Sequence, residues 1–286
     1  MAALDSSPLT LSILVPCYNE EATIGLMLDT LEQLAAELAP EGIAMEIVAV
    51  DDASRDRTHA ILTERAAQPS AVQLRVVRHE VNRGKGRAIR TARDHATGEI
   101  MVIQDADLEY DPWDIPVLIA PILEGRADAV IGSRFIGAGA HRVLYFWHRM
   151  ANGMLTFLSN MLTDLNLTDM EVGYKAFTRE AFRTMYLTTE RFGIEPEIVA
   201  RLSQMRARVY EVPINYYGRT YEEGKKITWR DGVAALKHIT HAAITGGKQP
   251  RLAPSPHAPA VPFGPPRRPA QGWFAARAVG RSVVDG

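Results

Sequence analysis

The residues whose types and spacing best suit chemistry are Gln104-Asp105-Ala106-Asp107-Leu108-Glu109. Asp-x-Asp leaving an apolar run can set carboxylates on a divalent cation that also bridges two phosphates. Hard oxygen donors suit Mg²⁺ or Mn²⁺, which makes Asp105 and Asp107 candidate metal ligands and Gln104 their neighbour in the same site. The plainer alternative is that these acids cap a helix starting near Pro112, where the macrodipole favours negative charge, although Asp111 is the better cap.

Further polar clusters accompany this one. In Pro16-Cys17-Tyr18-Asn19-Glu20, Asn19 reads as the cap of a first helix with Glu20 and Glu21 in its first turn, while Tyr18 could also stack on a nucleobase. In Asp51-Asp52-Ala53-Ser54-Arg55-Asp56, either Asp56 or Ser54 can cap the next helix, leaving Asp51 and Asp52 free to accept hydrogen bonds from a base or ribose. Asn82-Arg83-Gly84-Lys85-Gly86-Arg87 opens a helix with glycines and cations. It suits an anion held by free backbone N–H groups, or equally a solvated basic turn, and it lacks Walker spacing. Arg134, after Ile131-Gly132-Ser133, can meet a diphosphate or pair with Asp105. Asp169 and Glu171 are two acids in a turn, either caps or groups facing an acceptor. Arg219 to Lys226 is either a surface loop or a flap whose cations, Arg219 and Lys225, close over a leaving diphosphate.

The elements that must position these groups follow from periodicity. Apolar runs at Leu11–Val15, Ile47–Val50, Leu74–Val77, Ile100–Ile103 and Ala129–Ile131 suit strands covered on both faces. Between them lie helical stripes such as Ile24, Met27, Leu28, Leu31, Leu34 and Leu38. The βαβαβ order implies an α/β fold: a Rossmann-like, mostly parallel sheet with helices on both faces, whose carboxyl ends bring four polar motifs to one crevice. The second half predicts a long helix over 145–165, a strand near 174–178, a helix near 196–206, a strand over 209–215 and a last helix near 229–240. Met150, Met154, Phe157 and Met161 form a stripe on the long helix that reads as core packing, or otherwise as a lipid groove or the face of a homodimer.

Composition bounds the class. The 286 residues are 47% hydrophobic and 23% charged, with a net charge of −2 that argues against general nucleic-acid binding. Residues 1–247 carry 26 basic and 33 acidic side chains, whereas residues 248–286 carry six basic and one acidic. Eight of the seventeen prolines lie between Pro250 and Pro269, so residues 247–286 read as a Pro-rich, basic, disordered tail. Cys17 stands alone, which excludes an intrachain disulfide and a four-thiolate zinc site and suits the cytoplasm. No run of 18 apolar residues occurs, since Val143 to Leu165 is broken by His148, Arg149, Asn152, Asn160 and Asp164; membrane contact is expected to be peripheral.

These motifs, in order, resemble the inverting glycosyltransferases of family 2 with the GT-A fold. The likeness is strongest to the branch of dolichyl-phosphate mannose synthase and other polyprenyl-phosphate sugar transferases. The resemblance rests on Val15-Pro16-Cys17-Tyr18-Asn19-Glu20, Val50-Asp51-Asp52-Ala53-Ser54, Asn82-x-Gly84-Lys85-Gly86, Asp105-Ala106-Asp107-Leu108, Gly132-Ser133-Arg134 and the loop from Gly218 to Lys226, and spans about residues 10–240. It implies a domain over 1–246, with a nucleotide-sugar half at about 10–135 and an acceptor half at about 136–246. It also implies metal and diphosphate on Asp105 and Asp107, phosphate charge met by Arg134, Arg219 and Lys225, and a hexose moved from a UDP- or GDP-sugar to a polyprenyl phosphate at a membrane. A lipid phosphate arrives ionised, which leaves Asp169 an orienting role; a soluble or glycan hydroxyl acceptor would demand Asp169 or Glu171 as base. Two other classes compete. A sugar-phosphate nucleotidyltransferase would want a Gly-rich phosphate loop where Pro16 to Glu20 stand, and a non-catalytic nucleotide-sugar-binding protein would not need Asp105, Asp107 and Asp169.

Overall fold

The computed structural model describes residues 8–137, 143, 145–191, 193–218 and 249–252. Arg219, Lys225, the helix expected near 229–240 and nearly all of the tail lie outside the described residues.

Seven strands form one sheet: β1 (Leu9–Cys17), β2 (Ile43–Asp51), β3 (Gln73–Arg78), β4 (Ile100–Ile103), β5 (Ala129–Ser133), β6 (Lys175–Thr178) and β7 (Val209–Pro213), in the order β3-β2-β1-β4-β6-β5-β7. All five expected apolar runs are strands, and they run in one direction. β6 alone is antiparallel, paired with β4 from Ile103↔Lys175 to Ile100↔Thr178 and with β5 on its other side. Its antiparallel course means that β6 enters the sheet at the edge where β4 and β5 leave it. The central strands are buried on both faces, as their unbroken Val, Ile and Leu content requires.

The helices are α1 (Ile24–Leu38), α2 (Thr58–Ala66), α3 (Lys85–His95), α4 (Ile115–Leu123), α5 (Phe146–Thr163), α6 (Arg179–Thr184) and α7 (Ile194–Met205). The chain steps from β1 to β2 to β3 and then back to β4. Right-handed crossovers therefore put α1 and α2 on one face and α3 on the other. The order of strands reverses between β1 and β4, and the crevice outside their carboxyl ends is where folds of this kind bind ligands.

Two helices differ from expectation. α1 begins at Ile24, after a turn in which the Ile24 N–H donates to the Glu20 carbonyl at 2.9 Å, so Glu20 and Glu21 precede its first turn. Asn19 is not its cap: it adopts a left-handed φ of 55°, and its Oδ1 accepts from Arg55 N at 2.9 Å, tying the loop after β1 to the loop after β2. α5 is turned the other way from a core helix. It buries Thr156, Ser159 and Thr163 and exposes Met150, Met154, Phe157 and Met161. The expected core packing of that stripe is overturned, because hydrogen bonds rather than apolar contacts fix the inner face. Thr156 Oγ1 accepts from Met170 N at 3.2 Å, and Asn160 brackets the backbone of Leu167 at 2.8 and 3.1 Å.

Candidate active site

The loops leaving β1, β2 and β4 each hold one non-glycine residue in the left-handed region: Asn19 at 55°, Ala53 at 60° and Leu108 at 61°. Side chains rarely adopt this conformation, and such strain persists only where surrounding structure over-determines it, which is typical of ligand-binding edges.

The Asp-x-Asp turn is built from inside. Gln104 is fully buried, and its Nε2 donates to the carbonyls of Asp105 and Tyr110 at 3.2 and 3.3 Å, closing the loop. Asp107 Oδ1 accepts from Glu109 N at 3.1 Å across the strained Leu108. Tyr110 stacks between Tyr174 and Tyr216, with ring centroids 5.4 and 5.3 Å away, and its hydroxyl accepts from Gly173 N at 3.1 Å. The Tyr216 hydroxyl donates to Glu109 Oε2 at 2.7 Å. The segment after β7 and the start of β6 thus clamp the turn in place.

Behind it lies a chain of paired charges. Lys85, from the first turn of α3, donates to Asp105 at 2.8 Å and to Glu195, from the first turn of α7, at 2.9 Å. Burial alone would lower the Lys85 ammonium, but the two carboxylates override it and hold it well above its usual range. Glu195 is held low for the reciprocal reason, by Lys85 and then Lys175 acting against burial. Gly173 makes room for this pair: a Cβ there would lie 2.4 Å from Asp105 Oδ2 and 3.0 Å from Lys85 Nζ. Lys175 is fully buried, donates to the Val172 carbonyl, and is lowered by burial to about 8.

Arg134 pairs with Asp169 and not with Asp105. Its Nε and Nη2 lie 2.6 and 2.7 Å from the two Asp169 oxygens, a bidentate grip to which Asn152 of α5 adds a bond at 3.1 Å. Asp169 is fully buried, and although burial opposes its charge, Arg134 holds its carboxyl below the usual range. The guanidinium sits 5.0 Å from the ring centre of Tyr216 and 5.4 Å from that of Phe135. Glu171 differs: its Oε1 is buried with no hydrogen-bond partner, and burial, then repulsion from Glu195, pushes its carboxyl up to about 7.

On the β1–β2 side, Pro16 and Tyr18 are half-buried where β1 leaves the sheet, and Glu20 N donates to Thr58 Oγ1 at 2.8 Å. Asp51 and Asp52 are not free. Asp51 Oδ1 accepts from Ser54 N at 3.0 Å, and Oδ2 has ion contacts with Arg78 at 3.2 Å and His59 at 3.5 Å but no hydrogen bond. Asp52 meets His79 Nδ1 at 2.6 Å and accepts from Arg83 N and Gly84 N at 2.9 and 2.6 Å. The anion expected at the start of α3 is therefore this aspartate. Its glycines serve close packing instead, since a Cβ on Gly86 would lie 2.4 Å from the Thr189 carbonyl.

The structure thus brings Gln104, Asp105, Lys85, Arg134, Asp169 and Glu171 together and adds Glu195, Lys175, Tyr110, Tyr216 and Asn152, which sequence reasoning missed. Glu195 carried only the ordinary signal of an acid in a helix's first turn, and the tyrosines carried none. Among the described residues no three His, Cys, Asp or Glu side chains cluster so as to hold a metal ion. Asp105 is committed to Lys85. The donor set still fits a cation shared with a substrate, because Mg²⁺ commonly accepts one or two carboxylates plus phosphate oxygens, and Asp107 supplies the carboxylate at the partly exposed turn.

Residues 12–185 match the model of glycosyl transferase family 2. A glycosyltransferase of Haloferax volcanii, AglJ, is 32% identical over 216 residues, covering 74% of this chain and 65% of the archaeal protein, so the chain spans just under two thirds of that relative's length. A dolichyl-phosphate beta-glucosyltransferase of Drosophila melanogaster is 30% identical over 238 residues, 78% of this chain and 71% of the relative. Glucosyl-3-phosphoglycerate synthase from Mycobacterium tuberculosis, solved with Mn²⁺, UDP and phosphoglyceric acid, superposes with a TM-score of 0.60 at 20% identity, covering 82% of this chain and 79% of that one; the likeness is one of fold.

Proposed function

The chain belongs to glycosyl transferase family 2, and from that premise we propose that it moves a hexose from a UDP- or GDP-sugar to a polyprenyl phosphate at the cytoplasmic face of a membrane. The observation that carries the acceptor class is the closure of Asp169. Both its oxygens are engaged by Arg134 and one also by Asn152, and its charge is stabilised, so it makes a poor base. A hydroxyl acceptor needs a group to take its proton, whereas a lipid phosphate attacks as the anion it already is. The name of the Drosophila relative points to the same acceptor.

In this reading residues 10–135 hold the donor and the chain from 136 onward faces the acceptor. Tyr18 stacks on the base between Pro16 and Glu20, and Asp51 accepts from base or ribose through Oδ2, while Asp52 acts indirectly by fixing the start of α3. An acceptor oxygen bonds to the anomeric carbon as the bond from that carbon to the diphosphate oxygen breaks, and the electron pair leaves with the nucleoside diphosphate. The catalytic task is to stabilise that departing charge. Arg134, kept cationic by Asp169, meets it from the described part of the site, and Arg219 and Lys225 from the loop outside it. A bound Mg²⁺ or Mn²⁺ supplies further positive charge to the diphosphate; Asp107 would hold it, with Asp105 aligned behind by Lys85.

A second reading, transfer to a sugar hydroxyl, is favoured by one observation: the Glu171 carboxyl, its Oε1 buried without a hydrogen bond and its pKa pushed up to about 7 by burial, suits a general base. Incubating purified protein with labelled UDP-glucose or GDP-mannose, and with either a polyprenyl phosphate or a soluble glycan, separates the two. Label should enter the lipid, and Glu171→Gln should retain that transfer. Label entering only the glycan, with loss in Glu171→Gln, would establish the second reading instead.

A further inference from the structure

The outer face of α5 has no role in this chemistry. Phe146, Trp147, Met150, Met154, Phe157 and Met161 are 65, 77, 52, 60, 59 and 67% exposed. At 3.6 residues per turn these six side chains fall within an arc of about 100°. Opposite them lie Asn152, Thr156, Ser159 and Thr163, whose hydrogen bonds to Asp169, Met170 N and the helix backbone lock the orientation. A helix held by its polar face and presenting a continuous apolar one marks an interaction surface.

Charge identifies the occupant. The body of the protein is acidic, yet α5 itself carries His148 and Arg149 and no Asp or Glu before its cap residue Asp164. Arg149 is exposed beside the apolar face, its guanidinium 3.5 Å from the ring centre of Phe135. Aromatic side chains gather at the amino end of the helix: Tyr145, Phe146 and Trp147. A twofold pairing of two copies would set this cationic, acid-free strip against itself. A bilayer surface with anionic headgroups complements both its apolar and its basic character, which is the pattern of helices that lie in a membrane interface. Among the described residues no helix is long and apolar enough to cross a membrane.

We propose that α5 is an interfacial docking helix that lays Trp147, Phe157 and their neighbours into a bilayer containing anionic lipid. Half a turn from Met150 and Met154, on the opposite side of the helix, Asn152 reaches inward to Asp169, so docking would hold the Arg134–Asp169 pair at headgroup level. That consequence rests on the lipid-phosphate reading above; the docking itself does not.

The full-length protein should cosediment with phosphatidylglycerol-containing vesicles and much less with pure phosphatidylcholine. The triple variant Trp147→Gln, Phe157→Gln, Met161→Gln should lose at least about tenfold in vesicle partition while its circular dichroism and donor binding stay unchanged. Equal partition of variant and parent would overturn the inference. So would a parent that ignores vesicles but forms a dimer in sedimentation velocity which the variant dissolves. The two readings fail separately. Vesicle binding through α5 without sugar transfer to lipid phosphate sinks only the acceptor assignment, and transfer to detergent-dispersed lipid phosphate by a variant that still docks sinks only the helix.

Discussion

At the scale of single residues, Asp107 and Glu171 make separable predictions. Asp107→Asn keeps the shape of the turn and removes one carboxylate charge at its partly exposed rim. It should lower kcat/KM by at least about 100-fold with an unchanged circular dichroism spectrum, since charge stabilisation of a leaving group is worth on the order of 3 kcal/mol per contact. Chelation with EDTA should abolish transfer yet leave the melting temperature of the donor-free protein alone, because no cluster of three metal-ligating side chains exists among the described residues to fold around an ion. Glu171 bears on stability. Its folded value of about 7 stands above its ordinary 4.5, so the fold prefers the protonated form. The stability it contributes is present below pH 4.5 and disappears as pH rises through about 7, a span worth on the order of 3 kcal/mol. Lys175, lowered to about 8, acts only above that window, where deprotonation relieves its burial. Urea denaturation of Glu171→Gln from pH 4.5 to 7 should therefore show a flatter profile than the parent; parallel profiles would count against the buried carboxyl.

At the scale of elements, the decisive feature is that β6 enters the sheet at the site's edge. The segment leading into it brings Gly173 against the Asp105–Lys85 pair, its first residue sets Lys175 among the buried acids, and α3 and α7 deliver Lys85 and Glu195 from their first turns. Gly173→Ala should displace that pair, with a cost of about 1–2 kcal/mol typical of overpacking and a further loss in kcat. Urea unfolding and steady-state kinetics would read the two effects, and a neutral result would show that the ion pair can move without consequence. The inverted polarity of α5 belongs to this scale too. Its hydroxyl-lined inner face is committed to hydrogen bonds, so its Met and Phe stripe has to face outward.

At the scale of the whole molecule, contacts to the folded body reach further along the chain than composition suggests. Gln249 Oε1 accepts from Tyr186 N at 3.1 Å, Leu252 N donates to the Met205 carbonyl at 3.3 Å, and Leu252 packs on the core. Truncation after Gly246 should cost about 1 kcal/mol, a fraction of the value of fully burying a leucine because Leu252 is only partly buried, whereas truncation after Ala253 should cost nothing measurable in thermal melts. Much of this architecture was legible beforehand. Leu11–Val15, Ile47–Val50 and Ile100–Ile103 are too apolar for anything but covered strands, and motifs placed after parallel strands must share one edge. The sequence by itself therefore determined the sheet, its crevice and the presence there of Asp105, Asp107 and Arg134. Tertiary structure alone decided which charges meet: Lys85 with Asp105 and Glu195, Arg134 with Asp169, Asp52 with the start of α3. It also decided which way α5 faces. The reason is physical: periodicity and propensity are properties of neighbours along the chain, whereas a buried charge takes whichever opposite charge lies within about 4 Å once distant segments have packed.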